Sequence, residues 1–273
     1  MLLTGFAATL GSFHRPPTHD GFIVNVGNQF PFRLSPAILR GPMPFTRNPG
    51  RFAGLLYVLA SIAGFFAMGY VPSHLVVHGN TAATVNNIAA HETLFRLGIA
   101  AQLLGEAAFI FVALALYKLL EAVNRQHAAL MVILIVASVP ISCANELNSF
   151  ATLALVRGSD FLSIVDKPQR DAFAMLFLYL HGRGLVLAEL FWGLWLFPLA
   201  SLVYRSRFLP RFLGIWLALA GAAWVILSLV SLLLPQYQSN VYTYTQPAVF
   251  GEIVFMFWLL IKGAKPSVVG AQP

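Results

Sequence analysis

Along the chain, apolar residues gather in six long blocks separated by short polar stretches: 52–71, 93–118, 129–155, 172–203, 212–234 and 247–262. A bilayer crossing takes roughly 20 mainly apolar residues at 1.5 Å of rise each, and the blocks approach or exceed that length. The fold class they predict is an all-α membrane protein, a bundle of six transmembrane helices. The longest blocks would tilt or project beyond the hydrocarbon. Pro168 suits the start of the fourth helix. Pro140 predicts a kink within the third, which neighbouring helices can accommodate. The polar stretch NTAATVNNIAAHE (80–92) predicts a short helix capped by Asn80 or Thr81 and leading into the second block.

Composition agrees with this pattern. The chain is 58% hydrophobic and 10% charged, against about 25% charged in a typical soluble domain. Its mean hydropathy is +0.75. The formal net charge of +7 then reads as loop asymmetry, and no nucleic-acid partner is expected. Arg47, Arg51, Lys118, Arg125, Arg205, Arg207, Arg211, Lys262 and Lys265 fall on one side of the blocks. Arg157, Lys167 and Arg170 fall on the other, with Asp160, Asp166 and Asp171 beside them. Excess Lys and Arg mark cytoplasmic loops, so both termini are expected in the cytoplasm, with 72–92, 156–171 and 235–246 outside. The single cysteine, Cys143, excludes an intrachain disulfide and a CxxC metal site.

Three regions follow. Residues 1–50 are expected to be a poorly ordered cytoplasmic extension, 51–263 the six-helix membrane domain, and 264–273 a cytoplasmic tail. Residues 1–12 lack the basic start and long apolar core of a secretory signal. Met43 opens MPFTRNPGRFAGLLY and is expected to be the natural start of translation.

An internal echo links the two ends of the domain. RFAGLLYVLASIA (51–63) aligns with RFLGIWLALAGAA (211–223) at six of 13 positions, and GEAAFIFVALAL (105–116) with GEIVFMFWLLIK (251–262) at five of 12. The matched helices run the same way, so the echo predicts a parallel repeat of a helix hairpin. Glu106 and Glu252 become equivalent positions. Transporter sites often lie between such repeats near mid-membrane.

RFAGLLYVLA, FRLGI (95–99), HGRG (181–184), RSRFLPRFLGIWLALAG (205–221) and the late GE (251–252) together resemble a bacterial family of polytopic membrane proteins known only as a domain of unknown function, number forty-three eighty-six. The resemblance covers about 51–262, and RSRFLPRFLG is its most specific piece. It implies a six-helix protein of the bacterial inner membrane and supplies no activity, so no catalytic residue is carried over. Arg183 departs from the family pattern, in which that position is aromatic.

Charges within the blocks are costly, about 2.5–3.5 kcal/mol each at the bilayer centre by insertion scales. Yet Glu106, Glu146, Glu189 and Glu252 lie there, with Arg96, His181 and Arg183. Depths at 1.5 Å per residue put Glu252 about 8 Å from the outer edge, Glu146 and His181 about 14 Å, and Glu106 and Glu189 roughly 20–26 Å. These positions predict one outward-facing polar cleft. Arg96, Asn145, Asn148, Glu146, His181 and Glu252 would form its wall, and Glu106 and Glu189 its floor. On a helical wheel His181 and Glu189 lie about 80° apart and can share that cleft, whereas Arg183 points about 200° away and needs another partner. Gly184 and Ala188 form a small-xxx-small pair suited to close helix contact. The aromatics Phe191, Trp192, Trp195 and Phe197 could line a pocket for an apolar ligand. Tyr237, Tyr242 and Tyr244 fit an interfacial belt.

His74 and His78, four apart in SHLVVHGN, with His91 at the other end of the same loop, are the candidate metal ligands. No HExxH, GxSxG or P-loop occurs. The sequence therefore supports three readings. The first is a binding or transport protein for a small amphipathic or proton-coupled solute, with the lipid bilayer as its partner and no cofactor. The second is a structural or regulatory membrane subunit without a ligand. The third is an intramembrane hydrolase using zinc. Six helices are few for a secondary transporter, which makes a homodimer an open alternative.

Overall fold

The computed structural model of the protein describes residues 48–264. The expected extension up to residue 47, the Met43 start and the tail beyond Ala264 lie outside the described residues. The described chain is helical throughout, with no strand.

The first span begins at α1 (Pro49–Phe65), passes through a π-helical turn (Phe66–Tyr70) and ends in α2 (Val71–Leu75). The wide turn has a local cause. Pro72 lacks an N–H and its ring crowds the preceding turn, and the Val71 N–H reaches back five residues to Phe66 instead. The short α3 (Thr81–Ala90) is capped by Asn80, whose side chain accepts from the Ala83 N–H at 2.9 Å, as the sequence predicts. The second span is α4 (Glu92–Leu120) and the third α5 (Arg125–Arg157), which continues unbroken through Pro140. Gly158 closes α5 in the left-handed conformation (φ 66°), where a side chain would be strained.

The fourth span is α6 (Lys167–Leu194) followed by α7 (Leu196–Arg205). Asp166 caps α6, accepting from the Gln169 N–H at 2.9 Å, and Pro168 sits in the first turn. The fifth span is α8 (Arg211–Leu233) and the sixth α9 (Gln238–Ile261), preceded by a single 3₁₀ turn at Pro235–Tyr237. Here the structure corrects the sequence reading. The stretch 238–246, expected to be a loop because QSNVYTYTQ is polar, forms the first two turns of α9. Its threonines turn their hydroxyls onto the backbone, Thr243 Oγ1 donating to Ser239 O at 3.0 Å and Thr245 Oγ1 to Val241 O at 2.9 Å.

The six spans close into a ring in chain order. Each packs against its sequence neighbours, and α9 returns to α1. The closure is tied at one end. Gly50 N–H donates to Ala264 O at 3.1 Å, Asn48 Oδ1 accepts from Ala264 N–H at 3.1 Å, and Arg51 Nη2 reaches Ile261 O at 2.9 Å. We call this the clasp end and the opposite one the far end. Toward the clasp end the interior is dry. Leu116, Leu199, Leu213, Leu217, Phe255 and Leu259 are fully buried there against one another. The α6–α8 contact depends on two glycines. A Cβ on Gly193 or on Gly221 would come within 2.9 Å of the other's carbonyl oxygen, so the two backbones touch. The turn RSRFLPR between α7 and α8 is held by Ser206, whose buried hydroxyl donates to Val203 O at 2.9 Å and accepts from Leu209 N–H at 3.2 Å.

By length and composition, the six helices are able to cross a membrane, over Pro49–Leu75, Glu92–Leu120, Arg125–Arg157, Lys167–Arg205, Arg211–Leu233 and Pro235–Ile261. The chain is a multi-pass membrane protein.

Candidate functional site

The polar interior starts on α4. Gln102 and Glu106 are four residues apart, one turn along the same face. Gln102 Nε2 donates to Glu106 Oε1 at 3.1 Å, and both residues are buried, 5% and 7% exposed. In this arrangement the amide nitrogen faces Glu106, and the amide oxygen has no hydrogen-bond partner in the protein.

Gln102 stands between two chambers and lines both. The larger, about 240 Å³, lies at mid-span among α1, α4, the end of α6, α8 and α9. Glu106 and Glu252 supply its carboxylates, and none of its lining residues is Lys or Arg. Tyr57 donates its phenol to Glu252 Oε1 across the α1–α9 contact. Aromatic rings make up much of the wall. Phe109 and Trp195 meet edge to face at 5.4 Å between centroids, and Tyr57 meets Phe109 in the same manner at 5.4 Å. Trp192 and Trp224 form a second such pair at 6.3 Å. Phe65 and Met68, at the edge of the π-helical turn, line the chamber and are 72% and 39% exposed, so its mouth faces sideways out of the bundle.

The smaller chamber, about 70 Å³, lies nearer the far end and is lined by Glu146, Ser149 and His181, with Val71, Ile88 and Phe95. Three groups converge on His181 Nδ1: Ser149 Oγ at 3.2 Å, Asn145 Nδ2 at 3.4 Å and Glu146 Oε1 at 3.8 Å. Asn145 Nδ2 also donates to His181 O at 2.8 Å, and its oxygen accepts from Asn148 Nδ2 at 3.0 Å. Gly184 makes this possible, because a Cβ there would collide with the Asn145 amide. The small residue in HGRG thus admits a polar side chain rather than a neighbouring backbone.

The predicted single cleft is therefore divided and partly dispersed. Glu106 and Glu252, equivalent in the internal echo, do meet in one chamber. Asn145, Glu146 and His181 meet in the other. Arg96 belongs to neither. It is an exposed residue one turn into α4 and pairs with Glu92, Nε to Oε1 at 2.7 Å, beside Arg157 at 3.6 Å from Glu92 Oε2. Glu189 is half-buried and lines neither chamber. Arg183 does find a partner on another helix. It donates from Nη2 to Ser231 O at 2.7 Å, one of the last carbonyls of α8, which have no partner within the helix. Of the four aromatics singled out after Glu189, Trp192 and Trp195 line the large chamber and Phe191 and Phe197 do not.

The histidine cluster does not form. The helix stops at Leu75 and Val76 is extended (φ −92°, ψ 120°), so His74 and His78 do not share a helical face. His74 Nδ1 lies 2.8 Å from Tyr70 O, and His91 Nδ1 3.1 Å from Asn87 O. Among the described residues no three His, Cys, Asp or Glu are gathered as metal ligands.

Sequence reasoning missed Tyr57, Gln102 and Trp224. Two signals were present. Gln102 lies one turn before Glu106, and Tyr57 is the position of the first echo at which the second copy has Leu217.

Comparison with known proteins places this arrangement among uncharacterised relatives. A protein of Archaeoglobus fulgidus described as "Uncharacterized protein" is 37% identical over 87 residues, 32% of this chain and 51% of the relative. The chain thus spans about half the length of the curated relative it matches. That relative is archaeal, and leaves the expected bacterial origin without support. No solved structure matches the chain. A family described as "Domain of unknown function (DUF4386)" matches residues 52–263, a range that holds both chambers and nearly all of the six spans, and the chain belongs to that family.

Proposed function

We propose that the protein binds, and moves across or out of the membrane, a small amphipathic solute held in the mid-span chamber. One observation carries this reading. Gln102, 5% exposed, lines a 240 Å³ chamber that also holds two glutamates, and its buried amide oxygen has no protein partner. A buried acceptor left unsatisfied costs about 1–3 kcal/mol. A chain that served packing alone would gain by an apolar residue there. At about 30 Å³ per liquid water the chamber has space for about eight waters, which suits a small ligand rather than a lipid tail.

The dry clasp half supports a site entered from one side. The cations Arg51, Lys118, Arg125, Arg205, Arg207, Arg211 and Lys262 all lie near helix ends at the clasp. By the positive-inside rule that end is the cytoplasmic one of a cell membrane, and the chambers then open toward the outside or toward the lipid. The alternative of a ligand-free structural subunit draws on the same residues, since the Tyr57–Glu252 and Arg183–Ser231 contacts also tie helices together.

The test is to extract purified protein with organic solvent and identify retained small molecules by mass spectrometry, comparing wild type with Ser61→Phe, which fills the large chamber. A compound present in near-stoichiometric amount in the wild type and lost in the variant is the expected result. Equal small-molecule content in both proteins would leave the structural-subunit reading standing.

A further inference from the structure

We infer that the ligand of the mid-span chamber is a small organic ammonium ion, a protonated amine carrying an apolar or aromatic body; this rests on the binding role proposed above. Charge is the first ground. The chamber holds Glu106 and Glu252 and no lining Lys or Arg. A bound ammonium ion would favour the ionised form of Glu106 and Glu252, while an anion would oppose it.

Hydrogen bonding is the second ground. Gln102 Oε1 is a buried acceptor with no protein partner, while Nε2 donates to Glu106 Oε1. A protonated amine is a pure donor with up to three N–H groups, matched to the Gln102 oxygen and to the ionised form of the two glutamates. Trp224, whose indole N–H is a donor, lines the same chamber as Glu252.

The third ground is the wall. Tyr57, Phe109, Trp192, Trp195 and Trp224 surround the carboxylates. Aromatic faces attract cations within about 6 Å of the ring centroid, most strongly when both are removed from water. The same rings cover the apolar body of the ligand. The exposed Phe65 and Met68 at the mouth are apolar, so such a body can enter from the lipid side with its charged end following.

The full chain in lipid nanodiscs is titrated with benzylammonium chloride, with ethylbenzene as its uncharged isostere and phenylacetate as its anionic counterpart. Tryptophan emission is the readout, because three of the five tryptophans line the chamber. Benzylammonium is expected to give a saturable change at a concentration at least about tenfold below that needed for ethylbenzene, and phenylacetate none. Glu252→Gln is expected to weaken benzylammonium by about tenfold or more, and Ser61→Phe to abolish its effect. Ethylbenzene binding as tightly as benzylammonium, with the effect still lost in Ser61→Phe, overturns the cation and leaves the binding role intact. Tighter binding of phenylacetate does the same. If none of the three probes gives a change sensitive to Ser61→Phe, both the cation and the binding role fall. The wild-type comparison of the three probes decides the matter even if Glu252→Gln does not fold.

Discussion

The two halves of the ring are built from the same helices and differ in what they enclose. Toward the clasp, Leu116, Leu199, Leu213, Leu217 and Leu259 meet with no polar atom to satisfy. From mid-span to the far end, the same α4, α5, α6 and α9 turn inward Gln102, Glu106, Asn145, Glu146, Ser149, His181 and Glu252. Two buried atoms there, Gln102 Oε1 and Ser231 Oγ, have no partner. The clasp half shows that this chain can fill most of its interior with apolar side chains. Polar groups kept in the other half, at a cost in stability, therefore point to a task other than holding the helices.

That contrast can be broken most severely at the backbone contact both halves share. Leucine at Gly193 would drive its side chain into Gly221 O and Val225. Gly193→Leu is expected to abolish the monodisperse folded protein in size-exclusion chromatography. Within the dry half, Leu116→Ala removes a fully buried side chain and is expected to lower stability by about 2–5 kcal/mol in thermal or denaturant unfolding. In the polar half the effects should be smaller and depend on whether a partner exists. Asn145→Ala removes the donor to His181 O and an acceptor for Asn148, and an unfolding loss of about 1–3 kcal/mol is expected. Ser142→Ala removes a buried hydroxyl beside Glu106. It should cost no more than about 1.5 kcal/mol. Arg96→Ala, on the exposed start of α4, should cost less than about 1 kcal/mol, because a solvent-exposed ion pair contributes little. A loss at Ser142 as large as that at Leu116 would show the two halves to be energetically alike.

The sequence made the helices legible and the site only partly so, for different physical reasons. A membrane span must satisfy its own backbone over about 20 residues, so apolar length alone locates it. The exception is informative: the start of α9 looks like a loop because its threonines and tyrosines are polar, although the threonine hydroxyls bond to the helix itself. The site depends on two coordinates, depth and azimuth. Counting residues gives depth, and depth did bring Glu146 and His181 to one level. Azimuth on a single wheel separated Arg183 from His181, and its partner is indeed another helix. No single-helix argument says which helices face one another, so Glu252 was placed with His181 when it faces Tyr57 and Glu106. Arg96 was drawn inward by its position in an apolar block, while Glu92 four residues earlier holds it at the surface. The echo between 105–116 and 251–262 carried the azimuthal information, since it paired the two glutamates that share a chamber.

The central claim is that the mid-span chamber exists to hold a ligand. An experimental density map of the full chain, purified from its native membrane, tests it most directly. The account predicts compact non-protein density between Glu106, Glu252 and Trp195, with a ligand atom in hydrogen-bonding contact with Gln102 Oε1. A chamber closed by neighbouring side chains, with that oxygen bonded to a protein donor, would contradict it.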